Sequence, residues 1–309
     1  MKSKKRLITL LLVLTIAAIY SYPVPQHTFE DLATDVNPAT RQSLLAFRQA
    51  HPPQKLQVDD LIWDYLVLGQ GEETILFLHG MTGAYDIWWQ QMEALSDHYR
   101  VISVTYPAAD TLEEMSRGVL SILDREGIQT FNVVGSSLGG YFAQYLITHH
   151  PERIEKAVFA NTFPPNNLIP ERNKTIGIVL PYLPAWLIMN VMRDSMENSV
   201  YPAAQIGDAG LVLAFGLEQT FGRMTKAQLI ARFRCVVEPF EAANPAEFGI
   251  PVMIIEADND PLVEPALREQ LKAAYPSAQV HTLHNAGHFS YLNIPHVYTQ
   301  LLAAFFAQK

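Results

Sequence analysis

The chain has 309 residues, of which 49% are apolar and 17% charged, and its formal net charge is −9. This length allows one large domain or two small ones, and the composition excludes a disordered or fibrous protein. The acidic balance argues against a nucleic-acid partner, because phosphate binding needs clustered Lys and Arg, and these cluster only within the first six residues.

The amino-terminal segment has the pattern of an export signal, because the basic stretch MKSKKR precedes the uncharged apolar run LITLLLVLTIAAIY. As a helix, Leu7 to Tyr20 would extend about 21 Å, less than the ~30 Å of a bilayer core. Residues 1–26 are therefore predicted to be a removed signal peptide. Because Tyr20 to Pro23 show no small-x-small cleavage site, an uncleaved membrane anchor is the open alternative. Either way, the excess of Lys and Arg predicts export, with a periplasmic, extracellular or membrane-anchored location.

A Pro-containing tether and a polar arm, with a short helix near residues 41–49, lead to a regular alternation of strands and helices that begins at Leu61. Continuous apolar runs such as TILFLHG are typical of strands buried on both faces of a sheet. The alternation is interrupted by a helical segment rich in Pro and Met, and it resumes at PVMIIEAD. We predict an α/β fold, a mostly parallel β-sheet flanked by helices, with core residues 27–162 and 250–309 and an inserted helical cap at 163–249.

The stretch Gly135-Ser136-Ser137-Leu138-Gly139 is a G-x-S-x-G match between a predicted buried strand and a predicted helix. A sharp strand-to-helix turn strains the serine at its apex, and it needs small residues two positions away on either side. Gly135 and Gly139 meet that need. Ser137 is therefore predicted to be a nucleophile, and the alternative is a tight turn with no chemical role.

A serine nucleophile needs a base that takes its proton, and the base needs an orienting carboxylate. His288 follows the last predicted strand, so it should lie at the same sheet edge as Ser137. Asp258 and Asp260 follow the preceding strand. We favour Asp260, which is farther into the loop, and the alternative for either aspartate is a turn-forming role. The order Ser, Asp, His is that of one known triad arrangement.

The tetrahedral intermediate of acyl transfer needs two hydrogen-bond donors for its oxyanion. The backbone N–H of Leu138, at a helix start, is one candidate. The backbone N–H of Met81, in the loop His79-Gly80-Met81-Thr82-Gly83, is the other. His79 itself is predicted to be structural.

Trp88 and Trp89, with the cap segment LPYLPAWLIMNVM that contains Trp186, suggest the walls of an apolar acyl pocket. The alternative is that these apolar residues form the core of the cap. No Walker loop, dinucleotide-binding glycine motif or H-E-x-x-H motif occurs, so neither a cofactor nor a metal is expected.

The segments LFLHGMTG, VVGSSLGG, ADNDPLV and AGHFSYL together resemble the α/β-hydrolase superfamily. LLAFRQAHPPQKLQVDD, VISVTYPAADTLEE and FRCVVEP resemble the maspardin group within it. The resemblance implies a hydrolase core with a helical cap. It also implies an alternative function, because maspardin is regarded mainly as a binding partner in intracellular traffic. Two hypotheses follow: a serine hydrolase that cleaves small carboxylic esters with an apolar acyl group, or a non-catalytic binding protein on the same scaffold.

Overall fold

A computed structural model describes residues 2–308, which form one eight-stranded sheet with helices around it. The strands are β1 (Gln54–Val58), β2 (Leu61–Leu68), β3 (Thr74–Leu78), β4 (Arg100–Thr105), β5 (Phe131–Ser136), β6 (Ile154–Ala160), β7 (Val252–Ala257) and β8 (Gln279–Leu283). They lie in the order β1-β2-β4-β3-β5-β6-β7-β8. The β1/β2 and β2/β4 pairs are antiparallel and the other neighbours are parallel, so the predicted mostly parallel α/β sheet is confirmed.

From β3 onward the helices alternate with the strands, except between β6 and β7, where several helices are inserted; β1, β2 and β3 follow one another directly. Before the sheet and within its first half lie α1 (Lys2–Ser21), α2 (Phe29–Leu32), α3 (Pro38–Ala50), α4 (Trp89–Leu95), α5 (Leu112–Arg125) and α6 (Leu138–His149). Between β6 and β7 lie α7 (Leu168–Val179), α8 (Ala185–Ser195), α9 (Tyr201–Ala203), α10 (Ala209–Glu218) and α11 (Lys226–Val237). The remaining helices are α12 (Pro265–Ala274), α13 (Ser290–Asn293) and α14 (Pro295–Phe306).

The central strands are buried on both faces, as their continuous apolar sequences predict. In β3, Ile75 and Phe77 belong to one hydrophobic cluster, whereas Leu76 and Leu78 belong to another. Successive side chains of a strand point to opposite faces, so these two clusters are the two layers between sheet and helices. The two layers hold the central strands in place. The loops that follow the parallel strands therefore lie together at the carboxyl end of the sheet.

Strand β1 was not expected from the sequence, which suggested a polar arm as far as about residue 57. Gln54 to Val58 form the edge strand of the sheet and pair antiparallel with β2. No residue of β1 is fully buried. An edge strand with so little buried surface leaves only a weak hydrophobic pattern, which explains why it was missed.

The segment between β6 and β7 packs on the core and is joined to it by a buried ion cluster. Arg48 of α3 donates to Asp86 Oδ2 at 2.7 Å and to both carboxylate oxygens of Glu218, at 2.9 and 2.6 Å. Arg223 donates to Asp86 Oδ2 at 2.5 Å. Burial by itself would raise the pKa of the Asp86 carboxyl, but the two arginines outweigh it and hold that pKa below the ordinary value.

Helix α1 lies apart from these layers and exposes every Leu, Ile and Val side chain that it contains. Its carboxyl end contacts α8, where the Trp186 indole Nε1–H donates to Ile19 O at 2.8 Å. Tyr22 packs edge-on against the Trp186 ring, with ring centroids 5.9 Å apart. Among the described residues, no helix meets both the length and the apolarity that crossing a membrane requires.

Candidate active site

Ser137 sits at the apex of a sharp turn between β5 and α6. Its φ is 54°, a conformation that non-glycine residues rarely adopt. The turn closes tightly, because a Cβ on Gly135 would lie 2.2 Å from the Gly139 carbonyl oxygen. A Cβ on Gly139 would lie 2.1 Å from the Leu78 carbonyl oxygen. Only glycine fits at these two positions, so the sequence permits a turn that few residue combinations allow.

Two hydrogen bonds hold the main chain of Ser137, one to the last residue of β6 and one from Thr162, just after that strand. The Ser137 N–H donates to Ala160 O at 3.0 Å, and the Thr162 hydroxyl donates to Ser137 O at 2.7 Å. The Ser137 side chain does not cap helix α6. The hydroxyl is thus presented at a fixed position and is half-buried.

His288 and Asp260 form a buried pair at the same edge of the sheet. Asp260 lies just after β7 and His288 lies just after β8, and both side chains are almost completely buried. The His288 Nδ1–H donates to Asp260 Oδ2 at 2.8 Å. Donation from Nδ1 leaves the lone pair on Nε2, which is the tautomer that a general base requires.

Asp260 accepts several hydrogen bonds besides the one from His288. Asn161 Nδ2–H donates to Oδ2 at 2.8 Å, and the backbone N–H groups of Leu262 and Val263 donate to Oδ1 at 2.8 and 3.0 Å. Burial alone would raise the pKa of Asp260. The charge of His288 and these hydrogen bonds outweigh it, so the pKa of the Asp260 carboxyl lies below its ordinary value. The carboxylate is therefore ionised at neutral pH.

The structure separates the two aspartates that the sequence left as alternatives. Asp258 Oδ2 accepts from the Nδ1–H of a different histidine, His284, at 2.7 Å, and its Oδ1 accepts from Asn285 N–H at 2.9 Å. This pair is largely exposed. His284 directly follows β8, whereas His281 lies within that strand. Only Asp260 contacts His288 Nδ1 among the described carboxylates.

The two backbone N–H groups expected to hold an oxyanion belong to the residue after Ser137 and to the loop after β3. Leu138 opens α6, so its N–H has no carbonyl of the same helix to bond. The loop after β3 passes beside the serine, since a Cβ on Gly80 would lie 3.1 Å from Ser137 Cβ. Met81 follows Gly80 in this loop.

His79 is fully buried within this loop and has a structural role, as predicted. Its Nδ1–H donates to Gly80 O at 2.6 Å, and its Nε2 accepts from Tyr106 N–H at 3.4 Å. The imidazole packs on the Tyr106 ring with centroids 3.9 Å apart. Burial, followed by the nearby charge of Arg232, holds the pKa of His79 well below its ordinary value. His79 is therefore neutral, and both of its ring nitrogens are occupied within the protein.

The structure corrects the prediction that Trp88 and Trp89 line a substrate pocket, because both side chains are fully buried. Trp88 is fully buried in the core, where its ring stacks on Tyr291 with centroids 4.0 Å apart. A ring covered by core side chains presents no surface to a substrate. Trp186 lies on α8 and contacts the carboxyl end of α1, as described above.

Two residues at the site were not expected from the sequence. Asn161 directly follows β6 and has a φ of 43°. Its side-chain amide donates to Asp260 and accepts from the Ser290 hydroxyl, whose oxygen lies 3.3 Å from Asn161 Oδ1. An asparagine at the end of a parallel strand was a usable signal. Arg232 is buried in α11 and contacts the loop after β3. Its sequence context, ARFRCVV, gives only a helix and no indication of that contact.

Within the residues that the structure describes, no group of three or more His, Cys, Asp or Glu side chains is arranged to hold a metal ion. Ser137, His288 and Asp260 are residue types that acyl transfer uses: a hydroxyl, an imidazole and a buried carboxylate. The adjacent N–H groups of Leu138 and Met81 supply candidate oxyanion donors.

Comparison with known proteins gives consistent results. The model of the alpha/beta hydrolase family matches residues 75–301. Maspardin from Mus musculus is 24% identical over 262 residues, which cover 80% of this chain and 80% of that protein. The putative carbamate hydrolase RutD from Agrobacterium fabrum is 23% identical over 247 residues, covering 75% of this chain and 92% of that protein.

Among solved structures, the enol-lactonase from Burkholderia xenovorans superposes with a TM-score of 0.66 at 20% identity, over 82% of this chain and 100% of that one. Identity at this level shows a shared fold. Together, these matches confirm the resemblance to α/β-hydrolases and to maspardin.

Proposed function

The chain belongs to the α/β-hydrolase family, and we propose that it is a serine hydrolase that cleaves carboxylic esters through an acyl-enzyme. The observation that carries the proposal is the placement of a strained Ser137 after β5 and of a buried His288–Asp260 pair after β8 and β7, at the carboxyl edge of one parallel sheet. Strained backbone persists where the surrounding structure enforces it, and such strain is concentrated at functional sites. A scaffold that only binds a partner has no need for all three side chains.

In the first step, the Ser137 hydroxyl oxygen attacks the ester carbonyl carbon while His288 Nε2 takes the hydroxyl proton. Asp260 holds the imidazole by its Nδ1–H and stabilises the imidazolium that forms. The carbonyl electron pair becomes an oxyanion, to which the N–H groups of Leu138 and Met81 donate. Collapse of this intermediate expels the alcohol, which receives the proton from His288. Water then repeats the sequence and releases the acid and free Ser137.

The proposed substrate is a small-molecule ester with an apolar acyl group. The support is the apolar composition of the segment between β6 and β7, above all the stretch LPYLPAWLIMNVM. Amide or carbon–carbon bond cleavage uses the same side chains, so the ester preference is the part of the proposal that a substrate panel tests directly.

We further propose that residues 1–26 direct export and associate with a membrane, either until a signal peptidase removes them or as a lasting anchor. The support is α1, whose Leu, Ile and Val side chains are exposed on all sides behind Lys4, Lys5 and Arg6. Fractionation of producing cells, with the intact mass of the recovered protein, tests this. A full-length protein in the cytosolic fraction would contradict it, and the mass separates cleavage from anchoring.

A second candidate function is non-catalytic binding on the same scaffold. The observation that favours it is the similarity to maspardin over 80% of the chain, with the binding role that this resemblance implies. Its expected signature is a stoichiometric partner that is retained by Ser137→Ala, with no ester turned over by the wild type.

The deciding experiment treats the full chain with a fluorophosphonate probe and assays nitrophenyl esters from acetate to decanoate. Ser137→Ala is the test variant, and Ser136→Ala, its buried neighbour at the end of β5, is the matched control. Labelling and turnover by wild type and Ser136→Ala, with neither in Ser137→Ala, are expected. A folded wild-type protein without labelling or turnover on any ester would favour the binding function instead.

A further inference from the structure

Arg232 is a buried arginine that has no acidic partner among the residues that the structure describes. It lies on α11, in the inserted helical segment, and only 1% of its surface is exposed. Among residues 2–308, the titratable side chains that could carry a negative charge near Arg232 are Tyr106 and Cys235. Burial raises the pKa of both of these groups, so neither is ionised at neutral pH. Burial also lowers the pKa of Arg232 to about 10, which leaves it a cation at neutral pH.

Within the described part of the chain, the guanidinium hydrogen-bonds to main-chain carbonyls and a thioether, and its Cζ lies 5.7 Å from the centroid of the Tyr106 ring. Its Nη1–H groups donate to Met81 O at 2.7 Å and to Gly83 O at 3.1 Å, with Met224 Sδ at 3.5 Å. Its Nη2–H donates to Tyr106 O at 2.9 Å. Arg232 therefore joins the loop after β3 to the segment that follows β4, from a helix that is 149 residues farther along the chain than Gly83.

The hydrogen bonds made by His79 and Arg232 together constrain the backbone on both sides of Met81, and therefore the direction of its N–H. In a planar trans peptide, the C=O of one residue and the N–H of the next point in opposite directions. His79 holds Gly80 O, and this fixes the peptide plane that contains the Met81 N–H. Arg232 holds Met81 O, which fixes the next plane. The two planes on either side of Met81 are thus each held by a buried side chain.

His79 and Arg232 also act on each other. His79 can hold Gly80 O and accept from Tyr106 N–H at once only as the neutral Nδ1–H tautomer. The charge of Arg232 disfavours protonation of His79. The cation therefore supports the loop twice, through its own hydrogen bonds and through the tautomer of its neighbour.

A structural role alone explains these features poorly. Burying an unpaired cation is unfavourable, and a neutral side chain could fill the same volume at lower cost. What a cation provides here, and a neutral apolar residue does not, is several strong hydrogen bonds to carbonyls in two loops, one of which carries Met81.

We propose that Arg232 is a positioning residue that fixes the Met81 N–H for the oxyanion and thereby makes the inserted helical segment part of the catalytic apparatus. This inference rests on the proposed serine hydrolase function. It extends that function because it assigns a role to a residue that contacts neither Ser137 nor His288 in the structure described.

The test compares Arg232→Met and Arg232→Lys with Arg234→Met and Arg234→Lys in the full chain. Arg234 is a matched control on the same helix, because it is half exposed and pairs with exposed Asp110 at 2.6 Å. Misplacing or losing one oxyanion donor lowers turnover by roughly 10²-fold. We expect Arg232→Met to lower kcat by about 100-fold and Arg232→Lys by about 10-fold, with KM changed less than about twofold. Both Arg234 variants should match the wild type.

A second readout distinguishes positioning from a general loss of structure. A trifluoromethyl ketone is attacked by Ser137 Oγ, whose proton passes to His288, and the carbonyl electron pair becomes an oxyanion in the same place. Its affinity should fall in Arg232→Met by the same factor as kcat/KM. Thermal unfolding of each variant is measured alongside, and Arg232→Lys decides the question if Arg232→Met does not fold.

Three results would overturn the inference: a folded Arg232 variant with wild-type kcat, a rise in KM with unchanged kcat, or a fall in kcat without weaker ketone binding. Equal effects of the Arg232 and Arg234 substitutions would overturn it as well. Failure of the serine hydrolase function itself gives another result, because the wild-type protein would then show neither turnover nor labelling. That result would also refute the role of Arg232.

Discussion

Replacing Asp260 by Asn tests the buried pair most directly, because the two side chains have the same shape. In the structure, Asp260 accepts from four donors: His288 Nδ1, Asn161 Nδ2, Leu262 N and Val263 N. Asn offers one oxygen and one NH₂ group. If the oxygen stays with the two backbone N–H groups, the NH₂ faces His288 and Asn161, where it meets donors.

The donor–donor contact between the new NH₂ group and His288 Nδ1–H is relieved if His288 changes tautomer. Nδ1 then accepts from the new amide, and the proton moves to Nε2. Nε2 then has no lone pair for the Ser137 proton, so kcat should fall by about 10⁴-fold. Two hydrogen bonds to a charged acceptor are lost or weakened, which should lower the free energy of unfolding by roughly 2–3 kcal/mol at neutral pH. The measurements are kcat on the best nitrophenyl ester and chemical denaturation.

Asp258→Asn is the matched control, since that carboxylate pairs with a histidine that is 79% exposed. An exposed pair contributes only ~0–1 kcal/mol, and Asp258 does not contact His288. Its substitution should therefore leave kcat within about twofold of the wild type. A folded Asp260→Asn protein with near-wild-type kcat, or equal losses from both substitutions, would refute the assignment of Asp260 as the orienting carboxylate.

Three further predictions concern the surroundings of the site. Asn161→Gly keeps the positive φ accessible and removes only the amide that donates to Asp260, so kcat should fall about 10-fold at constant KM; an unchanged kcat would contradict this. Gly135→Ala places a Cβ 2.2 Å from a backbone oxygen and should destabilise the fold by more than about 3 kcal/mol in denaturation, whereas Gly177→Ala, whose Cβ would meet its nearest atom at 3.4 Å, should not. The pKa of Asp86 is lowered in the folded state, so its contribution to stability is present above its ordinary pKa of 3.8 and lost as pH falls through the lower folded value. The difference in unfolding free energy between wild type and Asp86→Asn should therefore be constant near neutral pH and shrink below about pH 4, and a difference that grew on acidification would reverse the assignment.

Most of the sheet could be predicted because its strands are locally unambiguous. Runs such as TILFLHG are too continuously apolar for a surface element, and their alternation with helical patterns leaves few topologies. The edge strand β1 was missed, since it buries little and its pairing partner, not its own sequence, makes it a strand. Trp88 was misplaced for a related reason, because the sequence around a tryptophan does not show whether its ring faces a cavity or the core.

The sequence by itself determined which residues meet at the sheet edge. Ser137 and His288 follow strands of one parallel sheet, and the carboxyl ends of parallel strands meet at one edge wherever the connecting segments run. The tertiary structure alone decided which atoms pair there. Asp258 and Asp260 stand two positions apart in one loop, and the path of that loop gives one to His284 and the other to His288. It likewise brought Arg232 to Met81, because contacts between distant segments depend on how loops pack and not on any local pattern.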